Sequence, residues 1–285
     1  MSSFELPLVF FTVFIQWSAG TALALTLLLH LRPATYAGPE NGQRLFRLVA
    51  AILLVSLAGS FASTMHLGTP LEAYRAMLGV QRSWLSREGL AVMLFTGTLL
   101  AWAATVYVRR DKPELHRLCG LAASIAGVVA VLATGQVYYQ MSAHPFWHTP
   151  LTYLNFIGMM VLLGSSTASM LLCVGNNTPR PVPGTLTLGI AAGACMMLLA
   201  LTGYAAGLNQ QGPMLASARF LFGSPLFAGF LLLALLLPVV LLLRIMLRPS
   251  LSRGLACGFL LLMVGAALCS RMLFYAPVMK QYPWF

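Results

Sequence analysis

Charge is what this sequence has least of. Of 285 residues, 17 are lysine or arginine and six are aspartate or glutamate, a charged fraction of 8%. A soluble domain carries about 25%. A soluble chain of this length could not cover its surface with so few ionisable groups. Cysteines are also few and scattered: Cys119, Cys173, Cys195, Cys257 and Cys269 stand singly, with no Cys-x-x-Cys pair. Iron–sulfur clusters are held by groups of thiolates, so none is expected in this chain. A disulfide framework is not expected either, because a lone cysteine in an apolar stretch acts as a small hydrophobe. No lysine or arginine precedes Arg32, and Glu5 is negative. That is wrong for the positive start of a signal peptide, so the first apolar run is read as a retained span. No connection is long enough to be a soluble domain, the longest being about 16–20 residues. No internal repeat is evident, which disfavours an inverted-repeat transporter.

What is present is hydrophobic. Apolar residues make up 59% of the chain and fall in eight runs, at 7–31, 48–68, 89–108, 118–140, 151–173, 185–207, 223–247 and 255–275. Runs of about 20 residues, rising ~1.5 Å per residue as helix, cross a ~30 Å hydrocarbon core. The predicted fold class is therefore an all-α integral membrane protein, a bundle of eight transmembrane helices forming one domain over residues 1–285. The net charge of +11 sits in short loops, where it sets topology and meets anionic headgroups rather than nucleic acid. Eleven basic residues follow the odd-numbered runs: Arg32, Arg44, Arg47, Arg109, Arg110, Lys112, Arg117, Arg180, Arg244, Arg248 and Arg253. Six lie on the other side: Arg75, Arg82, Arg87, Arg219, Arg271 and Lys280. The positive-inside rule places the eleven in the cytoplasm and both termini outside, in the periplasm of a Gram-negative cell. Trp84, Trp147 and Trp284 fall at outer ends of spans, where indole rings favour the interface; Trp102, mid-span, is expected to pack.

Polar residues collect at the outer side. The second run ends Ser63-Thr64-Met65-His66-Leu67-Gly68-Thr69-Pro70, and the third opens Leu85-Ser86-Arg87-Glu88-Gly89. Gly68 and Pro70 stop a helix, one by permissive backbone and one by lacking an N–H. Consecutive antiparallel spans can bring His66 and Glu88 to one depth. Taken alone, Glu88 at a helix start is also explained by the macrodipole, and His66 by the interface. Arg271, near the outer end of the last span, can snorkel outward, pair with Glu88 or stabilise an anionic oxygen. Gln16 lies in the outer half of the first span, Arg219 precedes the seventh, and Tyr138, Tyr139, Gln140, His144, Trp147 and His148 close the fourth. Histidine and a partly buried carboxyl both exchange protons near neutral pH. Such a pair against apolar walls suits oxidation of a quinol, which needs a base within reach of each hydroxyl. The pattern equally suits a proton-coupled transporter. A membrane cytochrome b needs histidines on facing helices at matched depth. His30 and His116 lie toward the cytoplasmic ends, and His66, His144 and His148 toward the outer, so haem is not expected.

Four motifs in order carry a resemblance over essentially the whole length. They are Glu5-Leu6-Pro7-Leu8-Val9-Phe10-Phe11-Thr12-Val13-Phe14-Ile15-Gln16, Met65-His66-Leu67-Gly68-Thr69-Pro70 with Ala73, Leu85-Ser86-Arg87-Glu88, and Arg271-Met272-Leu273-Phe274-Tyr275. By these the chain resembles the DmsC family, membrane anchors of dimethyl sulfoxide reductase and related molybdenum enzymes. The resemblance implies a haem-free anchor of the bacterial inner membrane, working in anaerobic respiration. Such an anchor binds menaquinol or another quinol and passes electrons to an iron–sulfur subunit. That subunit serves a molybdopterin catalytic subunit that reduces an S- or N-oxide. It further implies proton-accepting roles for His66 and Glu88, with Gly68, Arg271, Gln16 and Tyr275 at the quinol. Arg87 departs from the asparagine expected before that glutamate, and its charge can occupy Glu88 in an ion pair. With no haem to carry electrons across, the soluble subunits are expected to dock on the face of His66 and Glu88, outside the cytoplasm, which fits the twin-arginine export typical of such catalytic subunits. Two other readings stay open: a proton-coupled transporter, and a structural anchor without quinol chemistry.

Overall fold

The computed structural model describes residues 6–32, 39–66, 74, 79–174, 182–248 and 252–279. The elements are α1 (Leu6–Leu31), α2 (Pro39–His66), α3 (Trp84–Val108), α4 (Pro113–Tyr139), α5 (Leu151–Val174), α6 (Gly184–Ala206), α7 (Gly212–Gly223), α8 (Pro225–Leu247) and α9 (Arg253–Met279). Among the described residues, eight helices are long and apolar enough to cross a membrane, all of these but α7. Several begin before their apolar runs. α2 starts at Pro39 rather than 48, α3 at Trp84 rather than 89, and α4 at Pro113 rather than 118. Their polar first turns still favour helix, and Pro113 takes a first-turn position where its missing N–H leaves no bond unmade.

The short helix α7 was not legible as a span. It is 12 residues long and buries Ser217, Ala218 and Leu221, while Arg219, read from the sequence as a loop residue, is exposed on its other face. Gly212 opens it at φ 63°, a left-handed conformation that glycine adopts without steric cost. In α8 the backbone widens to a π-turn over Leu231–Leu236 just before Pro238. Proline has no N–H to offer the carbonyl four residues back, and its ring crowds that carbonyl, so the preceding turn opens.

Helices α1 and α5 form the centre of the bundle. Over the apolar 18-residue stretch of each, 72% and 78% of the residues are buried inside the protein, against 22% for α8 at the periphery. α1 packs on α2, α4, α5 and α9, and α5 packs in addition on α6. Without a hydrophobic drive in lipid, such contacts depend on small residues that let backbones approach. Gly20 and Gly164 meet in this way. A Cβ on Gly164 would collide with the backbone of Gly20, and one on Gly20 with the Met160 carbonyl oxygen. Buried hydroxyls add links between helices: Ser124 donates to Thr26 at 2.9 Å, Ser56 and Thr96 share a bond of 2.8 Å, and the Trp17 indole donates to Thr167 at 2.8 Å.

Gly164→Ala is therefore expected to destabilise the bundle by about 1–3 kcal/mol, the range for overpacking. Gly97 has nothing within 4 Å of its would-be Cβ, so Gly97→Ala is expected to be neutral or stabilising. Thermal unfolding of the two variants in one detergent checks both; equal melting would remove the close α1–α5 contact from the account.

Candidate functional site

Glu88 is the starting point. Ser83 caps α3 in extended backbone and the helix begins at Trp84, so Glu88 lies a full turn inside rather than at the rim. It is only 5% exposed. Its Oε1 has no hydrogen-bond partner within the protein, and the Thr134 side chain of α4 lies beside the carboxyl. One turn further along α4 stands Tyr138, on the same face as Thr134 because residues four apart share a helix face. The Tyr275 hydroxyl of α9 donates to the Tyr138 hydroxyl at 3.0 Å. Thr12 of α1 also lies at the Tyr275 hydroxyl, and Gln16 follows Thr12 by four residues. The Gln16 side chain is 1% exposed, with neither its amide oxygen nor its nitrogen bonded.

Arg271 lies one turn from Tyr275 on α9 and is completely buried, so it does not snorkel. Among the described residues the one ion pair is Arg117–Glu114, and Arg271 does not pair with Glu88. Its Nη2 donates to the Asn155 backbone carbonyl at 3.3 Å. The guanidinium lies over the Phe156 ring at 3.8 Å and near Phe274 at 5.5 Å. Nε and Nη1 have no partner. Tyr138, Tyr204 and Tyr275 surround the charge. Phenol dipoles and ring faces thus hold the cation where an acidic partner would be expected.

Aromatic walls enclose this polar group. Tyr138 stands edge-on to Trp147 at 5.2 Å and to Phe274 at 5.3 Å, and Phe156 meets Phe274 at 5.3 Å. Trp147 was expected at the interface. Instead it is 1% exposed and its indole donates to the Phe274 carbonyl at 2.8 Å. The connection from α4 to α5 tucks inward and carries Phe146 and Trp147 into the core, because Phe146 has Tyr204 to stack on at 4.5 Å. Trp102 packs fully buried, as expected. Beside the walls is a small cavity of about 20 Å³, lined by Asn155, Tyr204, Ser270 and the rings of Phe146, Phe230 and Phe274. Asn155 Oδ1, the Tyr204 hydroxyl and Ser270 Oγ all lack hydrogen-bond partners. Thr152 stands near Tyr204 but outside bonding geometry, its own proton going to the Trp147 carbonyl at 2.7 Å. The space has the size of about one water, the usual satisfier of such groups.

A family model for the DMSO reductase anchor subunit (DmsC) matches residues 1–276. The chain belongs to that family. Among its relatives is the C-chain of the anaerobic dimethyl sulfoxide reductase of Haemophilus influenzae, 28% identical over 193 residues, covering 66% of this protein and 67% of the relative. The YnfH polypeptide of an anaerobic dimethyl sulfoxide reductase of Escherichia coli is 28% identical over 216 residues, covering 75% and 74%. The C-subunit of the sulfite dehydrogenase of Allochromatium vinosum is 32% identical over 134 residues, covering 44% and 39%. With its eight candidate spans, the protein is a multi-pass member of a family of membrane anchor subunits.

The DmsC-like motifs fall as follows. Arg271, Tyr275 and Glu88 come to the buried cluster, and Gln16 is buried one turn along α1 from its Thr12. Gly68 lies outside the described residues, as does the His66 side chain, although the His66 backbone closes α2. The Ser56–Thr96 bond fixes the register of α2 against α3. Going outward from it, His66 is ten residues along α2 and Glu88 eight back along α3, about 15 Å and about 12 Å of helix. The two backbones therefore reach similar depth at one end of the bundle. Arg87, the departure from the family pattern, turns away. Its Nε donates to the Val80 carbonyl at 2.8 Å, its Nη2 to the Gln81 carbonyl at 2.9 Å, and its guanidinium lies 4.5 Å from the Trp84 ring. It anchors the preceding turn and does not occupy Glu88 in an ion pair.

Sequence reasoning missed Thr12, Thr134, Asn155 and Tyr204. The first two carried a signal, each standing four residues before a flagged residue, Gln16 or Tyr138. Tyr204 and Asn155 carried none beyond being polar groups within spans.

Proposed function

We propose that this buried cluster is where a quinol, menaquinol by family resemblance, is oxidised, and that the chain passes the electrons to an iron–sulfur subunit serving a molybdopterin catalytic subunit. The observation that carries the reading is Glu88: a carboxyl buried a turn inside α3, with an unpartnered oxygen, beside the Tyr138–Tyr275 pair, which in turn adjoins a buried Arg271 with two unpartnered nitrogens. A group so placed is positioned to take a proton from a bound hydroxyl, given hydrogen-bond reach. A quinol supplies two electrons and two protons. Glu88 accepts one proton, and His66, at similar depth on α2, accepts the other. The Gln16 amide and the free N–H groups of Arg271 orient the ring oxygens, while Phe156, Phe274 and Trp147 exclude water. The Tyr138–Tyr275 pair fixes the phenols around Arg271 so that its charge stays directed into the site. The same end of the bundle is then the docking face of the soluble subunits, on the periplasmic side of a bacterial inner membrane with both chain termini. The terminal S- or N-oxide is set by the catalytic subunit.

The test is direct labelling. A photoreactive naphthoquinone, added to the complex in membranes, is expected to modify peptides containing Glu88, Tyr138 or Tyr275, with protection by excess naphthoquinol. Labelling spread evenly over lipid-facing helices, with no protection, would end the proposal. His66→Ala is expected to lower quinol oxidation about 100-fold, the loss of one general base, with the soluble subunits still bound on co-purification. A purely structural anchor predicts an unchanged rate. A transporter needs polar groups at a broken helix near the midplane. The irregular turn of α8, Leu231–Leu236, contains only leucine and alanine and does not favour it.

A further inference from the structure

A second feature, independent of the quinol reading, reaches from Trp17 toward the Arg44 end of α2, away from His66. A crevice of about 200 Å³ opens between α1, α2, α5 and α9, lined by Trp17, Leu48, Ile52, Val55, Leu171 and Leu260 among others. Its few polar lining groups are turned away. The Trp17 indole donates to Thr167 at 2.8 Å, the Thr21 hydroxyl to the Trp17 carbonyl at 2.7 Å, and the Ser18 hydroxyl to the Phe14 carbonyl at 2.6 Å. What remains facing the space is hydrocarbon, so its occupant there is hydrocarbon too.

Charge at the mouth decides what kind. The stripe Leu48, Ala51, Ile52, Val55 follows helical spacing along α2, and Arg44 continues it one turn toward the helix start. Arg253 precedes Leu260 by seven residues, two turns, on α9, which places it on the same face. Arg44 Nη2 donates to the Leu171 carbonyl at 2.5 Å and the Leu172 carbonyl at 3.3 Å, near the end of α5. This fixes the side chain beside the crevice and leaves further N–H groups of its five for a ligand. Arg253 is exposed. Neither arginine has a carboxylate partner among the described residues.

We propose that this crevice is a binding site for one anionic phospholipid, its acyl chain lying against α2 and α9 and its phosphate held by Arg44 and Arg253. An isoprenoid tail is the competing occupant and fits less well. Its head is neutral, and between this crevice and the His66 end of α2 the first two helices close together. A Cβ on Gly59 would lie 3.0 Å from Phe14 Cβ and 3.4 Å from the Phe11 carbonyl, which blocks a path along that seam.

Trp17 makes the site observable. The full-length protein is placed in phosphatidylcholine nanodiscs doped with brominated phosphatidylglycerol or brominated phosphatidylcholine, and quenching is read as the difference between the protein and its Trp17→Phe variant. Half-maximal quenching is expected at about thirtyfold lower mole fraction for the anionic lipid, as two surface basic groups would give. Arg253→Gln and Arg44→Gln are each expected to reduce that preference, and Ala51→Phe to reduce quenching by both lipids. Arg44→Gln also removes a cap from α5, so Arg253→Gln decides if the former fails to fold. Equal quenching by the two lipids would show ordinary boundary lipid and overturn the proposal. Retained preference in Arg253→Gln would do the same, as would displacement of the brominated anionic lipid by a headless isoprenoid chain.

Discussion

Glu88→Gln is expected to lower quinol-dependent electron delivery by about 10²–10⁴-fold while leaving the complex assembled. The magnitude is the usual contribution of a positioned general base. The substitution keeps the shape of the side chain and changes its ability to take a proton, so packing around it should survive. Because the wild-type carboxyl is buried with an unbonded oxygen, replacing it by a neutral amide removes the expense of a buried charge, and melting should be unchanged or slightly higher. The measurement is reduction of the partner's clusters by a naphthoquinol, alongside co-purification and thermal unfolding. A rate within about threefold of wild type would remove Glu88 from the chemistry. A collapse of assembly with the rate would instead make it a structural residue.

The second large effect is expected at Arg271. A fully buried guanidinium with no carboxylate paired to it among the described residues is a poor way to stabilise a bundle. Apolar replacements of buried ionic groups are often neutral or stabilising. Arg271→Met is therefore expected to melt at or above the wild-type temperature. Quinol oxidation should fall by about 10²–10³-fold, the loss of one preorganised donor to developing negative charge. Arg271→Lys should not restore the rate. An ammonium cannot lie flat over Phe156 at 3.8 Å while directing a planar fork of N–H groups elsewhere. The reverse pattern, a variant that aggregates or unfolds yet retains its rate per folded molecule, would assign Arg271 to structure alone.

These predictions differ in how visible their residues were. Glu88 and His66 stood out because ionisable groups are scarce in this chain and each closes or opens an apolar run. The placement of Glu88 at the rim was less well read. The apolar run of α3 begins at 89, but the helix starts at Trp84, because Trp84-Leu85-Ser86-Arg87 sustains helical backbone beyond the hydrocarbon. That carries Glu88 inward by a turn. Trp147 was misplaced for a related reason. An indole near a span end is equally suited to the interface or to a core, and the choice depends on whether Phe274 offers it a carbonyl. Nothing local records that. The Arg87 side chain likewise has two near neighbours in sequence terms, Glu88 and the turn before it, and only the path of that turn directs it to Val80 and Gln81.

Taken by itself, the sequence determined the solvent: 59% apolar residues and 8% charged ones, in runs of helical length, leave spanning helices as the way to bond every backbone group in lipid. It also determined which ionisable residues stand near one end. The tertiary structure decided which of them meet. Thr12, Gln16, Glu88, Thr134, Tyr138, Arg271 and Tyr275 come from four helices whose mutual rotation is set by close backbone approach at Gly20 and Gly164 and by buried hydroxyl pairs such as Ser56–Thr96 and Ser124–Thr26. Helix rotation in a bilayer follows from packing among neighbours rather than from hydropathy, since every face of an apolar helix is compatible with lipid.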